Sequence, residues 1–412
     1  MRNQTPAKAG TKRVRGRHHV KRSTDRILTT HPGRLPDPAN RDAVMQARAA
    51  GDQARFDALV REGAIEMFQR QKALGIDIMS DGEFWKARDQ LYYASRATGI
   101  EARPLQAGEW PSLLGDHQER NAPEYKEFFA AYDRLGNTPR PGIESPQARE
   151  KSVMVGPVKG RADSPVRHEL EVIKAALAQA NISSEDYFFP VLGPGWLDHF
   201  VFNEYYKTEE EYCFALAEIV KNDFHAVVDA GLLLQVDDPG LCDRWSMISP
   251  PVSVEEYRRQ EAIRVEATNW ALQGIPEDRV RYHTCWGSWH TPHANDLPFR
   301  HIIDLMLRIN AGAYSIEAAD VQHELDWKVW QDHKLPDGKI FIPGVIAHKT
   351  TTIEPPELVA DRIIRYANMM GRENIIAGVD CGVGGRSYPE IGWRKLQALS
   401  EGAALASRTL WA

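Results

Sequence analysis

Cysteine is scarce in this chain. Only four of its 412 residues are cysteines. Cys213, Cys242, Cys285 and Cys381 are too scattered for a compact disulfide framework, which fits a reducing cytoplasm and favours metal binding or catalysis over stapling. No run of about 18 apolar residues exists, so no transmembrane helix is expected. The N-terminal stretch "MRNQTPAKAGTKRVRGRHHVKRSTDR" has no apolar core and is not a secretory signal. Residues 1–25 read as a disordered basic tail rather than a nucleic-acid arm. There is also no large excess of one charge. A net charge of −6 suggests neither nucleic acid nor an anionic membrane as partner. No Gly-rich phosphate fingerprint follows any strand candidate, which counts against a doubly wound nucleotide-binding sheet.

What the chain does have is a long alternation of short apolar runs and amphipathic segments. The runs occupy 26–30, 76–80, 152–156, 188–193, 232–237, 280–285, 313–317, 339–345 and 374–380. Helical patterns fill 207–230, 254–273, 296–311 and 356–371. This order predicts a parallel sheet with covering helices. A single (β/α)8 barrel over 26–412 accommodates the length. Nine strand candidates are one too many, so the first or the third should lie outside the barrel or in a side hairpin. The polar, Pro-rich segment 103–150 reads as an insertion after the second strand, overhanging the active face.

Polar residues gather where the strand candidates stop: Glu83, Asp237, Asp238, His283, Cys285, Glu317, His348 and Cys381. In a barrel these ends share one mouth. His283 and Cys285, in "VRYHTC", are two apart, so a strand sends both to one face, where they can chelate Zn²⁺. Cys381 offers a second sulfur from another strand end. Glu317 offers an oxygen or holds an open position. Taken alone, a His-x-Cys tripeptide is most often a core or loop fragment, and Glu317 alone a rim carboxylate. Cys213 reads as a helix core residue. Cys242 reads as a loop residue without an assigned role.

Eight short motifs in order, "TTHPGRLP", "SDGEF", "LGPGW", "LQVDDP", "HTC", "SIEAAD", "PGVIAH" and "VDCG", resemble the catalytic barrel of the cobalamin-independent methionine synthase family, over roughly residues 26–411. The resemblance implies a barrel and a zinc ion that binds and deprotonates a substrate thiol. It matches His283, Cys285, Glu317 and Cys381 to the zinc ligands. It matches Glu83 and Asp237 to carboxylates that hold the amino group of homocysteine. It brings His348, or the adjacent Lys349, to the acid/base position. The implied activity is that of a zinc-dependent thiol alkyltransferase, moving a methyl group to homocysteine or a similar thiol, with small-molecule partners only. The sequence leaves open whether the protein is a homo-oligomer.

Three departures from the family stand out. The second, N-terminal half of full-length folate-dependent members is missing, which counts against a folate polyglutamate donor. Arg34 replaces a serine that contacts the substrate carboxylate; it either grips a carboxylate, sulfonate or phosphate or points to solvent. The stretch "HTCWGSWHTPH" resembles short members that include epoxide:coenzyme M transferases. There, Trp286 and Trp289 are either walls of an alkyl-donor pocket or, more often, structural. His290 and His293 read as supporting or rim residues. "HELDW" at 323–327 either orients Glu317 or is helix surface. An epoxide-opening thiol transferase is therefore the alternative, with a non-catalytic metal- or ligand-binding barrel from a different functional class. A zinc hydrolase is disfavoured by a two-sulfur donor set.

Overall fold

The computed structural model describes residues 20–86, 91–106, 109, 117–134 and 150–412. The described strands are β1 (Leu28–Thr29), β2 (Ala97–Pro104), β3 (Glu150–Gly160), β4 (Phe188–Leu192), β5 (Val201–Asn203), β6 (Leu233–Asp237), β7 (Val280–Thr284), β8 (Ala313–Ile316), β9 (Ile340–Pro343) and β10 (Ile376–Ala377). Parallel pairing runs β4-β6-β7-β8-β9, and β1 pairs with β10. Single parallel bridges complete the circle: Thr30 with Ile78, Met79 with Tyr187 and Phe341 with Ile375. The segment through Ile78 and Met79 thus fills the second barrel place, and the chain closes as a (β/α)8 barrel.

The third strand candidate, 152–156, lies outside the barrel. It belongs to β3, which pairs antiparallel with β2 and parallel with β5. Barrel strands read as continuous apolar runs because both faces are covered; every residue of β7, β8 and β9 is buried. Inward side chains such as Leu28, Ile78, Phe188, Leu233, Ala313 and Ile340 fill the barrel interior together with Val20. Outward ones such as Val280 and Tyr282 join the core beneath the helices. Of the expected tail, residues 1–19 lie outside the described residues, while Val20 N–H donates to Asp278 O at 2.9 Å.

Helices Glu209–Asp229, Val254–Ala271 and Pro356–Met370 match the amphipathic segments. A capping box between Thr208 and Glu211 starts the first of these. The segment 296–311 differs from expectation. Pro298 allows only a 3-10 turn at Phe299–His301, Ile302 leaves helical geometry, and the α-helix is limited to Ile303–Met306. Among the described residues no helix is long and apolar enough to cross a membrane.

Two features outside the sheet position the mouth. In the insertion, residues 107–108, 110–116 and 135–149 lie outside the described residues. Its helix His117–Asn121 reaches the loops after β6 and β7: Gln118 donates to Trp245 O and Ile248 O, and Glu119 accepts from Ala294 N–H. At the barrel seam the loops after β1 and β10 interlock. Gly384 N–H donates to Arg34 O at 2.9 Å. A Cβ on Gly384 would fall 2.0 Å from Leu35 O, so only glycine fits there.

The hairpin is anchored by Arg96, which is buried between Asp223 at 2.6 Å and Glu169 at 2.9 Å. Removing the guanidinium strands two carboxylates away from water. Arg96→Met should therefore cost about 3–5 kcal/mol of stability, read as a lower denaturation midpoint at unchanged slope. A loss below about 1 kcal/mol, the size of a surface pair, would show that the anchor is dispensable.

Candidate active site

The inward face of β7 and the residue after it carry, in alternation, Arg281, His283 and Cys285. Arg281 lies deepest, its guanidinium over the Phe188 ring at 3.9 Å and donating to Thr30 Oγ1 at 3.0 Å. His283 is in register with Asp237 on β6 and Ser315 on β8. Its Nδ1 lies 3.2 Å from Ser315 Oγ. Its Nε2 is buried, has no hydrogen-bond partner among the described residues, and stands 3.9 Å from Asp237 Oδ1.

Cys381, after β10, arrives beside this pair. Ligand atoms of His283, Cys285 and Cys381 all lie within 4.8 Å of one another. The Cys285 thiol beside it, and then the His283 imidazole, hold Cys381 well below the usual thiol range. Cys381 in turn, with burial, pushes the Cys285 thiol up. Burial opposes a charge on His283, but Cys381 outweighs it and the imidazole pKa is raised. Two sulfurs and an imidazole with a bare Nε2, oriented through the other ring nitrogen, form a donor set that fits zinc.

Glu317 does not join that trio. It follows Ser315 on the inward face of β8, and its Oε1 is bound to Lys349 Nζ at 2.8 Å. Its Oε2 accepts from Trp286 N–H at 2.8 Å. Glu317 groups instead with His348 and Asp380, again within 4.8 Å. Asp380 Oδ1 accepts from Ala318 and Ala319 N–H at 2.8 Å each. Gly344 leaves room for that carboxylate, since a Cβ there would come within 1.9 Å of Oδ1. His348 is buried, its Nε2 3.0 Å from Ser288 Oγ.

Above the sulfurs opens a cavity of about 1000 Å³ of empty space including its mouth. Cys285, Cys381 and Ser288 contribute to its lining. Arg34, Glu83, Lys86 and Arg386 give it charge and Asp237 a buried carboxyl, while Tyr92, Tyr93, Leu192, Trp196 and Phe200 give it an apolar wall. Glu83 has φ 57°, a left-handed conformation rare outside glycine. Asp81 enforces it by accepting from Glu83 N–H at 2.7 Å, while Trp85 Nε1 (3.0 Å) and Tyr187 Oη (3.1 Å) fix the Asp81 carboxylate. Strain held this way points the Glu83 carboxylate toward Lys86 at 3.5 Å. Burial raises Asp237 to about 8.

The structure thus brings together His283, Cys285, Cys381, Asp237, Glu83 and Arg34 around one space, with Glu317 and His348 in the adjoining buried group. Arg34 is buried rather than in solvent. Trp286 and Trp289 do not wall the cavity. Trp286 stacks on His323 at 3.7 Å and donates to Leu297 O, and Trp289 packs with Trp196 and Met247. His323 touches Trp286 and Asp296 rather than Glu317 or helix surface. His293 bonds Asp296 at 2.9 Å. Cys242 sits in the buried helix Gly240–Met247, its sulfur accepting from Thr284. Sequence reasoning missed Ser315, Lys86, Arg386 and the tyrosine pair. Strand alternation could have found Ser315, two residues before Glu317; the others carry no local signal.

No protein-family model matches the chain. Among curated proteins it is 25% identical over 418 residues to a 2-hydroxypropyl-CoM lyase of Xanthobacter autotrophicus, covering 93% of this chain and 96% of the relative. It is 23% identical over 359 residues to a methionine synthase of Thermococcus kodakarensis, covering 86% and 85%. It shares its fold with a B12-independent methionine synthase from Shewanella sp. W3-18-1 solved in complex with selenomethionine, at TM-score 0.66 and 16% identity over 93% of this chain and 99% of that one. The resemblance carried by the eight motifs therefore extends along most of the chain.

If the trio holds a metal, Ser315 orients one of its ligands. Ser315→Ala should weaken zinc binding roughly 10- to 100-fold in chelator competition, and Cys285→Ser or Cys381→Ser should release the metal. Full zinc retention in both cysteine variants would refute the donor set.

Proposed function

We propose that this chain, similar as it is to the cobalamin-independent methionine synthases, is a zinc-dependent thiol alkyltransferase that moves a methyl group to homocysteine or a close analogue. The carrying observation is the convergence of His283, Cys285 and Cys381 at a cavity that also bears carboxylates and guanidinium groups. These three residues would hold the zinc ion, with Glu317 as the nearby carboxylate. A zinc ion, when bound, keeps a coordinated substrate thiol deprotonated at neutral pH, as the nucleophile of S-alkylation requires.

The chain's own residues supply the rest. Glu83 and Asp237 receive an ammonium group, and Arg34 a carboxylate, so an amino-acid thiol meets complementary charge at both ends. The aromatic wall keeps water from the alkyl donor. The reaction forms a sulfur–carbon bond and breaks the bond from that carbon to its leaving atom. That atom then needs a proton, and His348 delivers it through the Ser288 hydroxyl facing the cavity. Lys349, ion-paired to Glu317, holds that carboxylate in place.

One observation favours a second reading, the opening of an epoxide by a thiol of the coenzyme M type. Lys86 already neutralises Glu83, which lowers the repulsion that two carboxylates would exert on a sulfonate.

The test is a screen of the zinc-loaded protein with methyl-folates, sulfonium compounds and epoxides against homocysteine, coenzyme M and glutathione, following thioether product by mass spectrometry. Product should form with at least one pair. His348→Ala should slow turnover by about 10²–10⁴-fold, and Lys349→Ala should act mainly by loosening Glu317. Stoichiometric zinc without any thioether product would leave a non-catalytic metal-binding barrel.

A further inference from the structure

The loop after β9 carries two groups of the buried site, His348 and Lys349, and its support comes from outside that site. Residues 347–354 read "AHKTTTIE". Thr350, Thr351 and Thr352 are exposed, while His348 and Lys349 are buried. Up to Ile346 the chain is fixed to the barrel. Val345 N–H donates to Gly378 O and Asp380 N–H to Ile346 O, at 3.0 Å each, and Arg362 donates to Val345 O at 3.1 Å. Beyond that point one buried ion pair ties both ends of the loop. Glu354 Oε1 accepts from Ala347 N–H at 2.7 Å, one residue before His348. Its Oε2 lies 3.0 Å from Lys395 Nζ, and the same ammonium donates to Thr352 O. Lys395 stands on the last helix, Pro389–Leu410, with its side chain 2% exposed. Neither member of the pair lines the cavity.

We infer that Glu354 and Lys395 are positioning residues for His348, fixing the loop after β9 so that the imidazole meets Ser288. The inference rests on the reading of His348 as the proton donor of a thiol alkyltransferase. A buried ion pair is a poor source of stability, because desolvation consumes much of the attraction. What it supplies here is geometry. Both carboxylate oxygens and the ammonium have fixed partners, so together they set the path of the backbone from 347 to 352. The 3.0 Å contact of His348 Nε2 with Ser288 Oγ and the 2.8 Å contact of Lys349 Nζ with Glu317 Oε1 are both made from that stretch. His283, Cys285, Cys381, Glu83 and Asp237 lie on other loops and strands. The pair should therefore govern turnover and leave thiol binding alone.

The test is a double-mutant cycle on the zinc-loaded full chain, with thioether product followed by mass spectrometry. Glu354→Met and Lys395→Met are combined, which removes the tie without leaving a lone buried charge. This paired variant should lower kcat roughly 10- to 100-fold with KM for the thiol unchanged. Lys395→Arg, which keeps the pair, should retain most of the rate. Placed on top of His348→Ala, the paired variant should cost nothing further, because residues that act through His348 then have nothing to act on. Equal loss in both backgrounds, or a change confined to KM, overturns the inference and leaves His348 in its role. No product at all, or turnover indifferent to His348→Ala, overturns the reading it rests on instead. Amide hydrogen exchange over 347–354 then decides for the pair. Protection lost there alone in the paired variant upholds the positioning of the loop, and unchanged protection overturns it.

Discussion

A parallel barrel brings the ends of its strands to one rim, and the register between strands decides which inward side chains stop at the same depth. Here that register aligns Asp237, His283 and Ser315 across three neighbouring strands. One alternation further up stand Cys285 and Glu317. The strand spacing of about 4.8 Å makes neighbours of groups that the chain separates by dozens of residues. The neighbourhood of Asp237, His283 and Ser315 follows from this row-by-row stacking. A one-residue slip of β7 would turn His283 and Cys285 outward together and bring Tyr282 and Thr284 in.

Such a concentration of polar groups is tolerated only because most of them are partnered. Lys349 answers Glu317, two backbone amides answer Asp380, and Asp81 is held by an indole, a phenol and the Glu83 amide. The strained backbone of Glu83 persists for the same reason: the surroundings over-determine it. Two of the side chains left with spare capacity, His283 Nε2 and Arg34 Nη1, lie where a ligand would enter. Rigidity behind the site and unused bonding capacity in front of it make the rim suited to chemistry rather than to stability alone.

Much of this was readable in the sequence. Apolar runs gave the barrel, because buried parallel strands cannot hide their composition, and the two-residue spacing in "HTC" gave a shared face. The ninth run is surplus to a barrel of eight, and β3 takes it into the hairpin. Other features were out of reach. The helix expected over 296–311 breaks where Pro298 and the geometry at Ile302 override amphipathic spacing. Spacing alone leaves Trp286 open between pocket wall and structural residue; it stacks on His323 and bonds Leu297 O, and so is structural. Arg386 gave no signal at all, since its meaning depends on a seam between the first and last strands of the barrel. Periodicity reports which face a residue occupies; it is silent on which distant loop that face will meet.

That seam has a consequence for how the protein comes into being. Arg34 is synthesised long before Cys381, and the glycine-tight junction between their loops cannot form until both are present. A nascent chain can build most of its strands and still lack the third member of the donor set. The group is complete only when β10 docks against β1.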